Sequence, residues 1–266
     1  DERVRNKPTY WWSSGYGQPG GRVVATHRDA YIKALNDKLL VITSDNSANI
    51  GGAKQDLLAV DPYIVGRLTS RVAVLEAVSL GASPIAASST ISFDYQSKQG
   101  RQITQGILDT LAGLGLTAAD LTGSCETNFP AASTCLGITV ISMAEPKQLL
   151  LHKVRAGDCC YLLGLPQVGQ DVLAIYANLL PPAQVEQLTR WPEIHEVVPV
   201  GSQGIRKELN ELARAYQLEF CSRLPANFVW EQSAGPATCI LAVGELGLEE
   251  RLMTLGQPVT WLGHWQ

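Results

Sequence analysis

The sequence predicts an α/β or α+β protein with two domains. Apolar runs of strand length alternate with segments whose apolar residues recur at helical spacing. Leu39, Leu40, Val41 and Ile42 form one such run, and Leu136 to Met143 (LGITVISM) forms another. Ala144-Glu145-Pro146-Lys147 interrupts the pattern near the middle of the chain and marks a domain boundary. The resulting division is an arm at 1–22, an N-terminal domain at 23–146 and a C-terminal domain at 147–266.

In order along the chain, the arm is polar and Gly-rich, with Tyr10-Trp11-Trp12 and Pro19-Gly20-Gly21. It is either a flexible segment that docks on a ligand or a loosely packed terminus. Strands at 31–35 and 39–43 flank Asn36-Asp37, a hairpin turn. Val65, Leu68, Val72, Leu75 and Val78 predict a helix over 63–80 that Gly81 ends. A strand follows over 84–91. Ile103, Ile107, Leu108 and Leu111 share one face of a helix over 102–114, closed by Gly113 and Gly115. Residues 136–143 are a buried strand. Beyond the boundary, Val154-Arg155-Ala156-Gly157-Asp158 turns into the strand CCYLLGL, and a helix follows over 170–179. Ile205, Leu209, Leu212 and Ala213 predict a helix over 205–216, and SAGPATCILAV reads as a Gly-Pro turn entering a strand.

Composition excludes several classes. With 266 residues, 45% hydrophobic and 17% charged, the chain has enough apolar material for a substantial core. A net charge of −4 argues against nucleic-acid binding, which favours a basic face. No apolar run reaches the ~20 residues of a membrane helix. No signal-peptide pattern opens the sequence, so a cytoplasmic protein is expected. The six cysteines form no CxxC pair and the four histidines are scattered, so zinc is not expected and the thiols read as reduced and mostly buried.

The segment 39–56 carries the chemistry. Its apolar strand breaks into Asp45-Asn46-Ser47 and a loop holding Asn49, Gly51, Gly52 and Lys54. A carboxylate at the mouth of a buried strand needs a partner, and a Gly pair lets backbone N–H groups approach an anion. With the ammonium of Lys54, that set suits a metal-bridged polyphosphate. The bland alternatives are an Asx-turn for Asp45 and a solvated loop lysine for Lys54.

Four segments together resemble the superfamily of aminoimidazole ribonucleotide synthetase, whose members include selenophosphate synthetase, thiamine monophosphate kinase and a carbamoyl-dehydrating hydrogenase maturation protein. They are Arg28-Asp29-Ala30, Thr43-Ser44-Asp45, the stretch from Val74-Leu75-Glu76 to Gly81-Ala82-Ser83-Pro84, and Thr122-Gly123-Ser124-Cys125-Glu126. Arg155-Ala156-Gly157-Asp158 through Gly164 resembles the opening of the family's second domain. Within that group the chain is similar to α-ribazole kinase of cobalamin salvage. This likeness rests on Ser44-Asp45-Asn46-Ser47 with Gly51, on Glu76, on Gly123-Ser124-x-Glu126-x-Asn128-Phe129 and on Ser233-Ala234-Gly235-Pro236-Ala237-Thr238.

The resemblance implies an N-terminal mixed sheet with helices, a C-terminal α/β layer over the nucleotide, and a homodimer joined through its N-terminal sheets. It implies ATP and Mg²⁺ bound without a Walker loop, and no GxxxxGK[ST] is present. Asp29, Asp45 and Glu76 are the implied metal-holding carboxylates. Arg28 replaces a further family Asp. Glu76 is otherwise a solvated residue on an exposed helix side. Asn49, Gly51, Gly52, Lys54, Gly123 and Asn128 would contact nucleotide, with Asp45 and Glu126 catalytic. Glu126 and Asn128 otherwise only satisfy a tight turn. The expected acceptor is a riboside, α-ribazole first, with Phe129 either walling its ring or serving in the core. The alternatives are a thiamine-phosphate kinase-like or amide-activating enzyme, or a non-catalytic nucleotide-binding regulator.

Overall fold

The computed structural model describes residues 24–266. The arm expected at 1–22 lies outside the described residues. Strands β1 (Val24–His27), β2 (Ala30–Leu35), β3 (Lys38–Ala48), β6 (Ser83–Ile91), β7 (Leu121–Cys125) and β8 (Cys135–Ala144) form one six-stranded sheet, in the order β1-β2-β3-β8-β6-β7. All neighbours are antiparallel except β6 and β7, so this sheet is mixed. The short strands β4 (Ile50–Gly51) and β5 (Leu58–Ala59) pair in parallel beside it. A second, antiparallel sheet runs β10-β12-β9-β13-β11, from β9 (Cys159–Gly164), β10 (Ile194–Pro199), β11 (Phe220–Ser222), β12 (Cys239–Gly244) and β13 (Val259–Trp265). The helices are α1 (Pro62–Val78), α2 (Lys98–Ala112), α3 (Gln170–Ile175), α4 (Pro182–Leu188), α5 (Gly204–Tyr216) and α6 (Glu249–Met253). This is the predicted α+β class, with mixed first sheet and layered second half. No helix among the described residues is long and apolar enough to cross a membrane.

α1 is the central element. Asp61 caps it, its Oδ1 accepting from the Tyr63 N–H at 2.8 Å, and Pro62 occupies the first turn where an N–H is not needed. One face lies on the first sheet, where the Thr43 hydroxyl donates to the Ala73 carbonyl at 2.6 Å. Another face meets α2 backbone to backbone. A Cβ on Gly66 would lie 2.1 Å from the Ile103 carbonyl oxygen, and one on Gly106 would lie 2.1 Å from that of Tyr63. The remaining face meets α4 and β10 of the second half. One apolar cluster therefore runs through both halves, from Ile138 and Val74 to Val185, Leu188 and Ile240. Arg71 crosses the same junction, donating to the carbonyls of Leu180 (2.6 Å) and Ala237 (3.3 Å). Burial, with Arg67 nearby, lowers its pKa to about 10.

The structure corrects several sequence expectations. β3 does not stop at Thr43; it runs to Ala48 because β8 pairs with it without a break from Leu39↔Ala144 to Ala48↔Cys135. Asp45 therefore stands inside a strand and not in a loop beyond it. Gly123 likewise lies in β7, where its missing side chain admits the Ser89 carbonyl and the Tyr95 hydroxyl. The helix expected over 170–179 breaks into α3 and a short 3₁₀ turn at Tyr176–Asn178. Of the thiols, Cys159, Cys160 and Cys239 are buried, whereas Cys135 is exposed. Phe129 is 77% exposed, so it serves no core.

Candidate functional site

In β3 the buried residues alternate as Leu39, Val41 and Thr43, facing α1, and the same period places Asp45 on that face two residues on. Asp45 is thus delivered to the edge of the core beside the helix and is only partly exposed. Asp29 reaches the same corner by another route. It sits in the turn between β1 and β2, and β2 runs beside β3 with Tyr31 opposite Ile42. The two carboxylates feel each other. Burial raises the Asp45 pKa to about 6, its hydrogen bond with the Asn46 backbone opposes the rise, and the charge of Asp29 adds to it.

Glu76 comes from the last full turn of α1 and is partly buried. Burial pushes its pKa up to about 7, the Arg28 charge opposes this, and Asp29 and Glu208 reinforce it. Glu76 is therefore not a solvated surface residue; it belongs to the corner that holds Asp29. Arg28, in a left-handed turn conformation at φ 53°, donates to the Val197 carbonyl (2.9 Å) and the Ser79 hydroxyl (3.2 Å) and stands 4.0 Å from Glu196 Oε1. Glu196 Oε2 in turn accepts from the Tyr216 hydroxyl at 2.5 Å. Arg28 thus ties the first half to β10 and, through Glu196 and Tyr216, to α5 of the second. Sequence reading assigned no role to Glu196, Tyr216 or Glu208; nothing in their local pattern marks them, because they matter only through Arg28 and Glu76.

The Gly-rich loop is a separate construction at the far end of β3. Asn49, at φ 60°, donates its N–H to the Thr134 carbonyl at 2.9 Å and accepts from Leu57 at 2.8 Å. Gly51 has φ 151°, and a Cβ there would lie 2.4 Å from Thr134 Oγ1. Asp56 closes the loop: its carboxylate accepts from the Ala53 N–H, the Thr134 N–H and the Thr134 hydroxyl, each at 2.7 Å. Burial raises the Asp56 pKa, but these bonds from Thr134 and Ala53 outweigh it and hold the value below the ordinary carboxylate range. Gly52 and Lys54 are exposed at the loop's outer edge.

Glu126 and Asn128 lie beyond β7, both exposed, with Glu126 Oε1 accepting from the Asn128 N–H at 2.6 Å. They are not brought to Asp45. Gly123 shares a register row with Asp45 through Ile138 and Ser89, which puts two strands between them and their backbones about 14 Å apart.

Among the described residues, no three His, Cys, Asp or Glu side chains gather as a ready metal cluster. Mg²⁺ does not require one, because it keeps several waters and takes one or two carboxylates plus substrate phosphates. The mutual repulsion of Asp29 and Asp45 is the kind that a divalent cation relieves, so this pair fits the ion, with Glu76 behind it.

No family model matches the chain. Solved structures do share its architecture. AaThiL complexed with AMPPCP and TMP superposes with a TM-score of 0.63 at 13% identity, covering 90% of this chain and 84% of that one. Thiamine-monophosphate kinase from Stenotrophomonas maltophilia K279a gives 0.60 at 14% identity, covering 91% and 88%. The chain therefore has the two-domain α+β fold of these proteins. The similarity to these kinases is one of fold. In sequence, the selenide, water dikinase of Rhizobium meliloti (strain 1021) is 25% identical over 184 residues, 62% of this chain and 51% of that protein. The chain spans about half the length of that curated relative.

Proposed function

We propose that the protein is an ATP-dependent phosphotransferase acting on a small metabolite, with Asp29 and Asp45 at the metal–triphosphate end of its site. What supports this is that Asp29, from a separate stretch of chain, lies near enough to Asp45 for its charge to add to the burial that raises the Asp45 pKa to about 6. Bound Mg²⁺ would neutralise phosphate charge as the phosphoryl group moves. Asp29 and Asp45 would hold it, with Glu76 beside Asp29. Asn49, Gly51, Gly52 and Lys54 border the phosphates, with Asp56 keeping the loop in shape. The superfamily fold and the relatives named for ATP-using kinases support this reading.

Glu126 serves the acceptor end, as the base for the attacking hydroxyl, with Gly123 and Asn128 beside it. Phe129, exposed in the same loop, is the wall for a flat ring. α-Ribazole, attacked through its 5′-hydroxyl, matches those features. Thiamine monophosphate is the second acceptor to weigh, because a solved relative carries AMPPCP and TMP together. A homodimer through the first sheet is part of the proposal. Tyr31, Leu40, Ile42, Ile141 and Met143 on its outer face are only half covered in the single chain. The division at 23–146 and 147–266 assigns metal and phosphate to the first half and cover to the second.

The test is ADP release from Mg-ATP with α-ribazole, thiamine monophosphate, an aminoimidazole riboside and no acceptor. Turnover that requires α-ribazole establishes the finer reading, and turnover with thiamine monophosphate alone replaces it. Nucleotide binding without ADP release from any acceptor leaves a regulator in place of an enzyme.

A further inference from the structure

A cavity of about 330 Å³ opens between the chain just after α1, the segment that follows β8 and the turn entering β10. None of its lining residues belongs to the Asp29–Asp45 corner or to the loop at 49–56. Four lining side chains are basic, Lys147, Lys153, Arg190 and His195, and no Asp or Glu lines it. That is a local excess of positive charge on a chain of net charge −4. Ser83 and Thr189 add hydroxyls, and Trp191, Leu150 and Ile194 supply apolar wall.

Two features hold this lining in place. His195 is 8% exposed, and its Nδ1 stands 2.7 Å from Asp158 Oδ2. The same oxygen accepts from the Arg155 N–H at 2.9 Å, so Nδ1 is the donor and Nε2 is the ring's remaining polar atom. Trp191 is fixed by the guanidinium of Arg251, 3.8 Å from its ring centroid, which is anchored to Glu193 at 2.9 Å. Two carboxylates stand just behind the wall, Asp158 against His195, and Glu186, whose Oε1 accepts from Arg190 at 2.9 Å and from the Ser83 hydroxyl at 2.8 Å. Asp158 meets His195 and Glu186 offsets Arg190, which leaves Lys147 and Lys153 as the lining cations without such a partner in the wall.

We propose that this cavity binds a small phosphate monoester, its phosphate met by Lys147, Lys153 and Arg190 and its organic body laid against Trp191 and Leu150. A phosphate dianion matches several separated cations and hydroxyls better than a single carboxylate does, because it offers three acceptor oxygens and about twice the charge. The cavity lies at the small end of the range for metabolite sites, so the ligand is of mononucleotide size or less.

The experiment uses the full chain in EDTA, so that metal-dependent nucleotide binding is silent. Phenyl phosphate, inorganic phosphate and benzoate are titrated by calorimetry, and the Trp191 indole N–H resonance, assigned by its loss in Trp191→Phe, is followed by NMR. The expected result is saturable binding of phenyl phosphate that moves the Trp191 signal, weaker binding of inorganic phosphate, and affinity at least tenfold lower in Lys147→Glu/Lys153→Glu. Asp45→Asn should bind phenyl phosphate as the wild type does, which separates this cavity from the proposed catalytic corner. No saturable binding, benzoate binding as tightly as phenyl phosphate, an unmoved Trp191 signal, no loss in the lysine variant, or loss in Asp45→Asn would each overturn the proposal.

Discussion

Arg28 Nη2 stands 4.0 Å from Glu196 Oε1 across the junction of the two halves, with the arginine side chain 11% exposed and the glutamate fully covered. Removing one member leaves the other charge in a poorly solvated place, which costs more than the pair itself gains. Arg28→Met is therefore expected to destabilise the protein by about 3 kcal/mol. Adding Glu196→Gln should return part of that loss, because a neutral amide can still meet the Tyr216 hydroxyl. A urea melt of the single and double variants checks this; equal stability of Arg28→Met and wild type would remove the strut from the account.

Glu76 gives a prediction about pH. Its folded pKa, about 7 against the ordinary 4.5, means the folded state holds the proton more tightly than the unfolded one. Its contribution to stability is then fully present below pH 4.5 and is lost as pH rises through 7. Glu76→Gln should melt higher than wild type at pH 8 and at nearly the same temperature as wild type at pH 4.5. A variant that melts lower at pH 8 would mean that Glu76 is held charged by Arg28 despite its burial.

Asp56 runs the other way. Its lowered pKa makes its contribution present above the unfolded value of 3.8 and lost as pH falls through the folded one. Asp56→Asn places an amide where three donors converge, and should cost about 1–3 kcal/mol near neutrality. The loop at 49–57 should loosen first, seen as faster hydrogen exchange at the Asn49 and Ala53 amides. Unchanged exchange there would show that Asp56 does not close the loop.

The elements most legible in the sequence were those with an internal period. The helical spacing from Val65 to Val78 and the run at Leu136 gave α1 and β8 to within a few residues, and the run at Leu39 gave the start of β3. What stayed hidden was set by partners distant in sequence. β3 continues through Asp45 only because β8 supplies a register partner for each residue. β7 is short and polar, and it becomes a strand because Gly123 lets it lie against Ser89. β10 lacks alternation because all six of its residues are buried although it lies at an edge of the second sheet. In the site, Asp45 was legible from its place at the mouth of an apolar strand, and Asp29 from motif resemblance. The role of Arg28 was not, because its partners Val197 and Glu196 lie some 170 residues away.

The most direct test of the central claim is metal binding itself. Mn²⁺, in place of Mg²⁺, is titrated with AMPPCP and followed by electron paramagnetic resonance in wild type, Asp29→Asn, Asp45→Asn and Glu126→Gln. The account predicts nucleotide-dependent Mn²⁺ binding that weakens at least tenfold in Asp29→Asn and Asp45→Asn, tightens in wild type as pH rises through about 6 while Asp45 loses its proton, and is unchanged in Glu126→Gln. Equal Mn²⁺ binding in wild type and both aspartate variants would contradict it.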